Sequence, residues 1–231
     1  MRTSFVLLGA LVAAGCGGSG PASLPQGSGP ANLDAADFVE RIDHPYWPMA
    51  PGSKWVYRED GQRVEVTVTD RTKEILGIRA TVVRDVVMED GELVEDTYDW
   101  YAQDEDGNLW YLGEETKEYE DGKVKTTAGS WEAGVDGAEA GILLPAEPEV
   151  GMRYRQEYYE GEAEDVGEVL SLDQKVEVPF GSFDDVVMTK DTTPLEPKVL
   201  EHKYYARGIG PVLAVGVSSR SREELVSFQP G

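Results

Sequence analysis

Four times between residues 59 and 122 two adjacent acids are followed by a glycine: Glu59-Asp60-Gly61, Glu89-Asp90-Gly91, Glu105-Asp106-Gly107 and Glu120-Asp121-Gly122. Glycine accepts a positive φ without steric cost, and Asp-Gly between alternating apolar residues is the strongest short-range mark of a β-hairpin. The flanks supply that alternation in Trp55-Val56-Tyr57, Val64 to Thr69 and Ile78 to Val83. Residues 53–127 therefore read as an antiparallel meander with four hairpin turns. The turns are unevenly spaced and the intervening sequences differ, so no repeat is present.

Residues 128–150 break this pattern with Gly129, Gly134, Gly137, Gly141, Pro145 and Pro148. The expectation is a long irregular excursion that covers part of the sheet. Strands resume at Met152 to Tyr159, Val166 to Leu172, Lys175 to Val178, Asp185 to Lys190, Leu200 to Tyr205, Gly210 to Val217 and Glu223 to Phe228. Leu33 to Ile42 holds one or two helical turns, and no amphipathic helix of three turns appears. The expected fold is all-β, an antiparallel meander in one strongly curved sheet or incomplete barrel over 33–231, with a two-sheet β-sandwich as the alternative.

The first fifteen residues have a different character. Arg2 precedes an uncharged apolar run from Phe5 to Ala14, which reads as a signal peptide over 1–15. About ten residues are too few to span a hydrocarbon core, which needs about twenty. Ala13-Ala14-Gly15-Cys16 resembles the lipobox of bacterial lipoproteins, which implies that Cys16 is diacylated and becomes the mature N-terminus. Cys16 is the one cysteine in the chain. Gly17 to Asn32, rich in Gly, Ser, Pro and Ala, reads as a flexible tether that sets the domain on the order of 20 Å from the anchor.

The chain carries 44 acidic against 21 basic residues, a formal charge of −23. Such a field repels phosphate backbones and anionic lipid, so nucleic acid is not expected as a partner, and the membrane is reached through lipid on Cys16 alone. The expected location is the extracytoplasmic face of the cell membrane.

A set of segments carries a second resemblance: Pro45-Tyr46-Trp47-Pro48-Met49 with Pro51-Gly52 and Trp55-Val56-Tyr57; Asp99 to Asp104 with Asp106-Gly107-Asn108; Gly129 to Gly134; and Tyr204-Tyr205-Ala206 with Gly208-Ile209-Gly210. These resemble a family of uncharacterised secreted and lipid-anchored bacterial proteins, which implies the domain and leaves its task open. The Tyr204 to Gly210 segment is also similar to one in periplasmic curved-sheet proteins, some of which hold lipid in a concavity.

No Gly-x-Ser-x-Gly elbow is present, and His44 and His202 have dissimilar surroundings, so no nucleophilic triad and no catalytic residue is assigned. Closely spaced His and Cys are absent, so no zinc site or cofactor is expected. Asp104, Asp106 and Asn108 alternate as at the start of a calcium loop, but Leu109 stands where such a loop needs glycine; a hairpin turn with solvated acids is the preferred reading. The acid pairs Glu114-Glu115, Asp184-Asp185 and Glu223-Glu224 read as solvated surface.

Adjacent aromatics (Trp100-Tyr101, Trp110-Tyr111, Tyr204-Tyr205) place rings on both faces of a strand, where one set lines a core and the other a cover or a pocket. Trp100, Trp110, Trp131 and Tyr205 are the candidate ligand-binding residues. The expected function is non-enzymatic: a lipid-anchored envelope lipoprotein that binds an apolar or amphipathic ligand or an envelope protein. The alternatives are an acidic interaction module for a basic protein partner and a carboxylate-based hydrolase of cell-wall sugars.

Overall fold

The computed structural model describes residues 31–231. The expected leader, the lipidated Cys16 and nearly all of the tether lie outside the described residues. Where the sequence predicts one or two helical turns, a single 3-10 turn forms at Ala35–Asp37, capped by the Asp34 carboxylate, which accepts from the Ala36 N–H.

Sixteen strands follow. They are β1 (Phe38–Val39), β2 (Lys54–Glu59), β3 (Gln62–Ile75), β4 (Ile78–Glu89), β5 (Glu92–Asp104), β6 (Leu109–Glu120), β7 (Lys123–Thr126) and β8 (Trp131–Glu132). The second half holds β9 (Glu139–Leu144), β10 (Arg153–Arg155), β11 (Glu157–Tyr158), β12 (Val166–Val178), β13 (Gly181–Thr192), β14 (Leu200–Ala206), β15 (Gly210–Gly216) and β16 (Arg222–Gln229). All pairs are antiparallel, and they build one sheet, not a sandwich.

The four acid-glycine signals all lie in turns. Asp60 and Gly61 (φ 41° and 97°), Asp90 and Gly91 (50° and 87°), and Asp121 and Gly122 (54° and 69°) are left-handed at both positions, the two-residue turn that matches strand twist. At the β5–β6 turn Gly107 alone has positive φ, at 93°, with Asp106 outside that region. A fifth turn of the first kind, Leu76-Gly77 (φ 54° and 78°), joins β3 to β4 and carries no acid pair.

The last strand pairs with the first long one, β16 with β2, so the meander curls round on itself. Around the sheet the order is β10-β12-β13-β14-β15-β16-β2-β3-β4-β5-β6-β9-β11. Its two ends are neighbours in the chain, because Gln156 alone separates β10 from β11. The run 153–158, which alternation predicts as part of one strand, pairs through its first half with β12 and through its second with β9. The result is a nearly closed barrel with one unsealed seam. Register shifts in β3–β4, β5–β6 and β12–β13 mark bulges that add the curvature closure requires.

Residues 128–150 are not the irregular cover expected from their glycines and prolines. They contain β8 and β9, and β9 pairs with β6 as part of the wall. Gly141 belongs there for a packing reason: a Cβ at this position would collide with the backbone of Arg155 and Gln156 across the seam. Glycine is what lets the two sides approach.

One end of the barrel is closed by residues 42–49. Ile42, His44 and Met49 are buried; His44 Nε2 lies 3.0 Å from the Pro145 carbonyl, and its Nδ1 accepts from the Tyr46 N–H at 3.2 Å. With Nδ1 an acceptor, Nε2 carries the proton and donates to Pro145. The Pro45 carbonyl accepts from the Gly208 N–H at 2.8 Å. Trp47 from this plug meets Trp55, Tyr101 and Tyr205 at ring separations of 5.7 to 6.5 Å. Among the described residues no helix is long and apolar enough to cross a membrane.

Candidate functional site

Inside the barrel, beneath the Trp47 plug, lies a cavity of about 350 Å³, and β2, β3, β4, β5, β6, β9, β11, β14, β15 and β16 all contribute to its lining. Its two halves differ chemically, and strand register shows which residues fall in which half. Toward the plugged end are Trp47, Tyr101, Tyr111, Leu143, Tyr205 and Pro211. Further along the same strands, nearer the turns at Asp60, Asp90 and Asp121, are Asp85, Asp99, Glu114, Glu157, Asp165 and Glu223, with Lys203 among them.

The aromatic half is a connected stack. Tyr101 and Tyr111 lie face to face at 4.9 Å, and Trp131 meets the edge of Tyr111 at 5.3 Å. Tyr57 donates its hydroxyl to the Pro211 carbonyl at 3.0 Å. Burial pushes the phenols of Tyr57, Tyr101, Tyr111 and Tyr205 upward, so they remain protonated donors.

The acidic half is short of countercharge. Six carboxyl groups face one ammonium among the described lining residues, and Lys203 is already held by Asp191 at 3.1 Å and Glu201 at 3.4 Å. Those two partners outweigh the burial that opposes its charge and raise Lys203 well above the usual lysine value. Burial, reinforced by neighbouring acids, raises the carboxyl groups in turn: Asp99 to about 6, Glu157 and Glu223 to about 7, and Glu114 to about 8. Asp85 is raised well above the ordinary value and Asp165 is raised, in both cases chiefly by burial.

One contact makes this protonation concrete. The Tyr111 hydroxyl lies 2.7 Å from Asp99 Oδ1 and 2.9 Å from Glu114 Oε2. A phenol has one proton to donate, so two such contacts need a second proton. Glu114, the more strongly raised of the two acids, supplies it and donates to the phenolic oxygen, which donates to Asp99. Two lining atoms have no hydrogen-bond partner among the described residues: Oδ1 of Asp85, an acceptor, and Nε1 of Trp47, a donor. Buried polar atoms are nearly always paired, so these two are exceptions among the lining atoms.

The four aromatics singled out in the sequence separate in space. Tyr205, 1% exposed, lines the cavity. Trp131 stands behind the lining, its Nε1 donating to Glu157 Oε2 at 2.9 Å, and so holds one of the acids in place. Trp100 faces the outer side, under the Lys73 ammonium 3.2 Å from its ring centre. Trp110 is buried near the plugged end, against Phe38. Glu114 and Glu223, read from sequence as solvated surface, turn into the cavity, while Asp184 and Asp185 remain exposed.

Asp104 is buried, not solvated, and works as a turn hub. Its Oδ1 accepts from the Asn108 N–H at 2.7 Å, and its Oδ2 accepts from Asn108 Nδ2 and from Trp110 Nε1, both at 2.8 Å. Asn108 Oδ1 accepts from the Ala146 N–H, so Asp104 and Asn108 are spent on the protein itself, while Asp106 is exposed. Asp104→Ala, which strips a buried charged acceptor from three donors, is expected to cost about 3 kcal/mol in urea denaturation. Asp104→Asn should cost less than half as much, and millimolar calcium should leave the wild-type midpoint unchanged.

No family model matches the chain, and no curated protein matches it. Among solved structures it is similar to a candidate lipoprotein from Parabacteroides distasonis, with 9% identity and a TM-score of 0.37 over 80% of this chain and 98% of that one.

Proposed function

We propose that this protein is a lipid-anchored envelope lipoprotein that binds a small amphipathic molecule inside its barrel and performs no catalysis on it. The observation that carries the reading is the cavity: about 350 Å³, aromatic at one end and polar at the other, with orphaned hydrogen-bonding atoms on Asp85 and Trp47. Ligand sites of small barrels have this form. The anchor rests on the sequence, where Cys16 follows a leader with small residues up to the cleavage point. Lipid on Cys16 would keep the barrel close to the membrane, where amphipathic molecules concentrate.

A second reading, a carboxylate-based hydrolase of sugars, draws on Asp99 and Glu114, whose ionisation is split between about 6 and about 8. Their contacting oxygens both touch the Tyr111 hydroxyl. A glycosidase needs the sugar bond between its two carboxyl groups, and here a phenol occupies that space. This arrangement favours binding over hydrolysis.

Native mass spectrometry of the full chain, purified from the envelope of its own host, tests the reading. The expected spectrum shows two additions: a covalent one of diacylglycerol size that disappears in Cys16→Ala, and a non-covalent one of a few hundred daltons. A chain with no releasable molecule, and no binding of apolar or amphipathic probes after delipidation, would remove the carrier function.

A further inference from the structure

We infer that the molecule held in the barrel is an organic ammonium ion, an amine or quaternary ammonium whose apolar part lies against the Trp47–Tyr101–Tyr205 end and whose charge lies among the carboxyl groups. The inference rests on the binding role proposed above and names the ligand class.

Three observations converge on it. The polar half of the cavity presents six carboxyl groups against Lys203, and Lys203 is already occupied by Asp191 and Glu201. The chain therefore supplies no second ammonium among the described lining residues. An anionic or neutral ligand would leave that imbalance in place, whereas a cation relieves it.

The second observation is the orphaned Oδ1 of Asp85, a buried acceptor on a residue that lines the cavity, to which no described residue donates. An ammonium N–H, or the polarised methyl groups of a quaternary centre, is the complement it lacks. The third is the aromatic wall. Tyr101 and Tyr205 each pack against Trp47, at ring separations of 5.7 and 6.3 Å, and Tyr101 continues into Tyr111. Ring faces attract cations as well as apolar groups, and aromatic surfaces backed by carboxylates recognise alkylammonium groups. A metal ion fits less well: no group of three metal-ligating side chains forms among the described residues.

Binding of a cation draws protons off the acids that face it. These are Asp85 on β4, Asp99 on β5, Glu114 on β6, Glu157 on β11, Asp165 before β12 and Glu223 on β16, with Lys203 and the four phenols keeping their protons. Affinity should therefore rise with pH and binding should release protons.

The test is calorimetric titration of the full chain in zwitterionic lipid nanodiscs with three probes of one chain length: hexyltrimethylammonium, 1-hexanol and hexanoate. The cation should bind at least tenfold more tightly than the alcohol at pH 8, weaken about tenfold at pH 6, and release protons in buffers of different ionisation enthalpy. Hexanoate should not bind. Glu114→Gln and Asp85→Asn, each checked for unchanged circular dichroism, should weaken the cation about tenfold and leave the alcohol as it was. Hexanol binding as tightly as the cation, with no effect of either substitution, would overturn the charge inference and leave the carrier reading standing. Failure of all three probes would overturn both.

Discussion

The ligand-free chain is expected to melt on the order of 10 °C lower at pH 8.5 than at pH 5.5. The cause lies in the cavity. Asp99, Glu157, Glu223 and Glu114 are raised to about 6, 7, 7 and 8, whereas in the unfolded chain they ionise near 4. Between those limits the folded state binds more protons than the unfolded one, so stability falls as pH rises. It is fully present below the unfolded values and lost through the folded ones, a window from about 4.5 to 8.

A tenfold difference in proton affinity between the folded and unfolded states is worth about 1.4 kcal/mol, but these acids repel one another and their contributions do not add. A total near 4 kcal/mol is the reasonable scale, and at about 2–4 °C per kcal/mol for a chain of this size it gives the stated difference in melting temperature. His44 works in the opposite direction, because burial lowers it below its ordinary value and its contribution grows as pH rises. One histidine does not offset four acids. Scanning calorimetry from pH 5.5 to 8.5 measures the slope, and a flat or rising melting temperature would show the acids to be ionised in the folded protein. Glu114→Gln isolates the cause. The amide keeps an acceptor and a donor beside Tyr111 but carries no titration, so its profile should be visibly shallower and its stability at pH 8.5 higher than that of the parent.

The strands and the hairpin turns could be read from the chain because their cause is local. Asp-Gly pairs and period-two apolar runs act over a few residues, and the Asp60, Asp90 and Asp121 turns adopt the backbone they imply. Leu76-Gly77 makes the same turn without the acid pair, and Asp106-Gly107 carries the pair but turns differently, so the signal was neither necessary nor sufficient for this turn type. The cavity was less legible because its residues depend on phase. On β6 the bulge opposite Trp100 and Tyr101 inserts an extra residue, which brings both Tyr111 and Glu114 to the interior although their spacing is odd. Strict alternation sends one of them outward.

A signal was present nonetheless. Asp85 follows Val83, and Asp99 precedes Tyr101, each acid in the inward phase of its strand. An acid at an inward position is a more informative residue than a run of surface acids. In each aromatic pair strand phase turns one member to the cavity: Tyr101 on β5, Tyr111 on β6 and Tyr205 on β14 line it, whereas Trp100, Trp110 and Tyr204 do not.

Gly141→Ala is expected to destabilise the barrel by on the order of 4 kcal/mol, more than most overpacking substitutions. A typical inserted methyl group meets side chains, which rotate away. At Gly141 the added carbon would meet the carbonyl of Arg155 and the carbonyl carbon and oxygen of Gln156, which are backbone. That backbone is fixed on both sides, because Arg155 pairs with Val166 and Glu157 with Ala140. Gln156 is pinned as well: its N–H donates to the Asp165 carbonyl at 2.8 Å and its side chain donates to Asp191 at 3.3 Å. Relief therefore requires the wall to part at the place where no ladder joins its two sides.

Such a change should loosen one region more than the whole. Hydrogen exchange in Gly141→Ala should accelerate first at Ala140, Gln156 and Glu157, while the β3–β4 hairpin on the far side of the barrel keeps its protection until global unfolding. Because Gln156 and Glu157 also line the cavity, probe affinity should fall with the melting temperature. Gly137→Ala is the control: its φ of 88° is strained for alanine, but a Cβ there meets nothing, so its cost should stay near 1 kcal/mol and the cavity should be unaffected. Equal losses for the two variants would mean that backbone strain, not the closeness of the seam, sets the effect at Gly141.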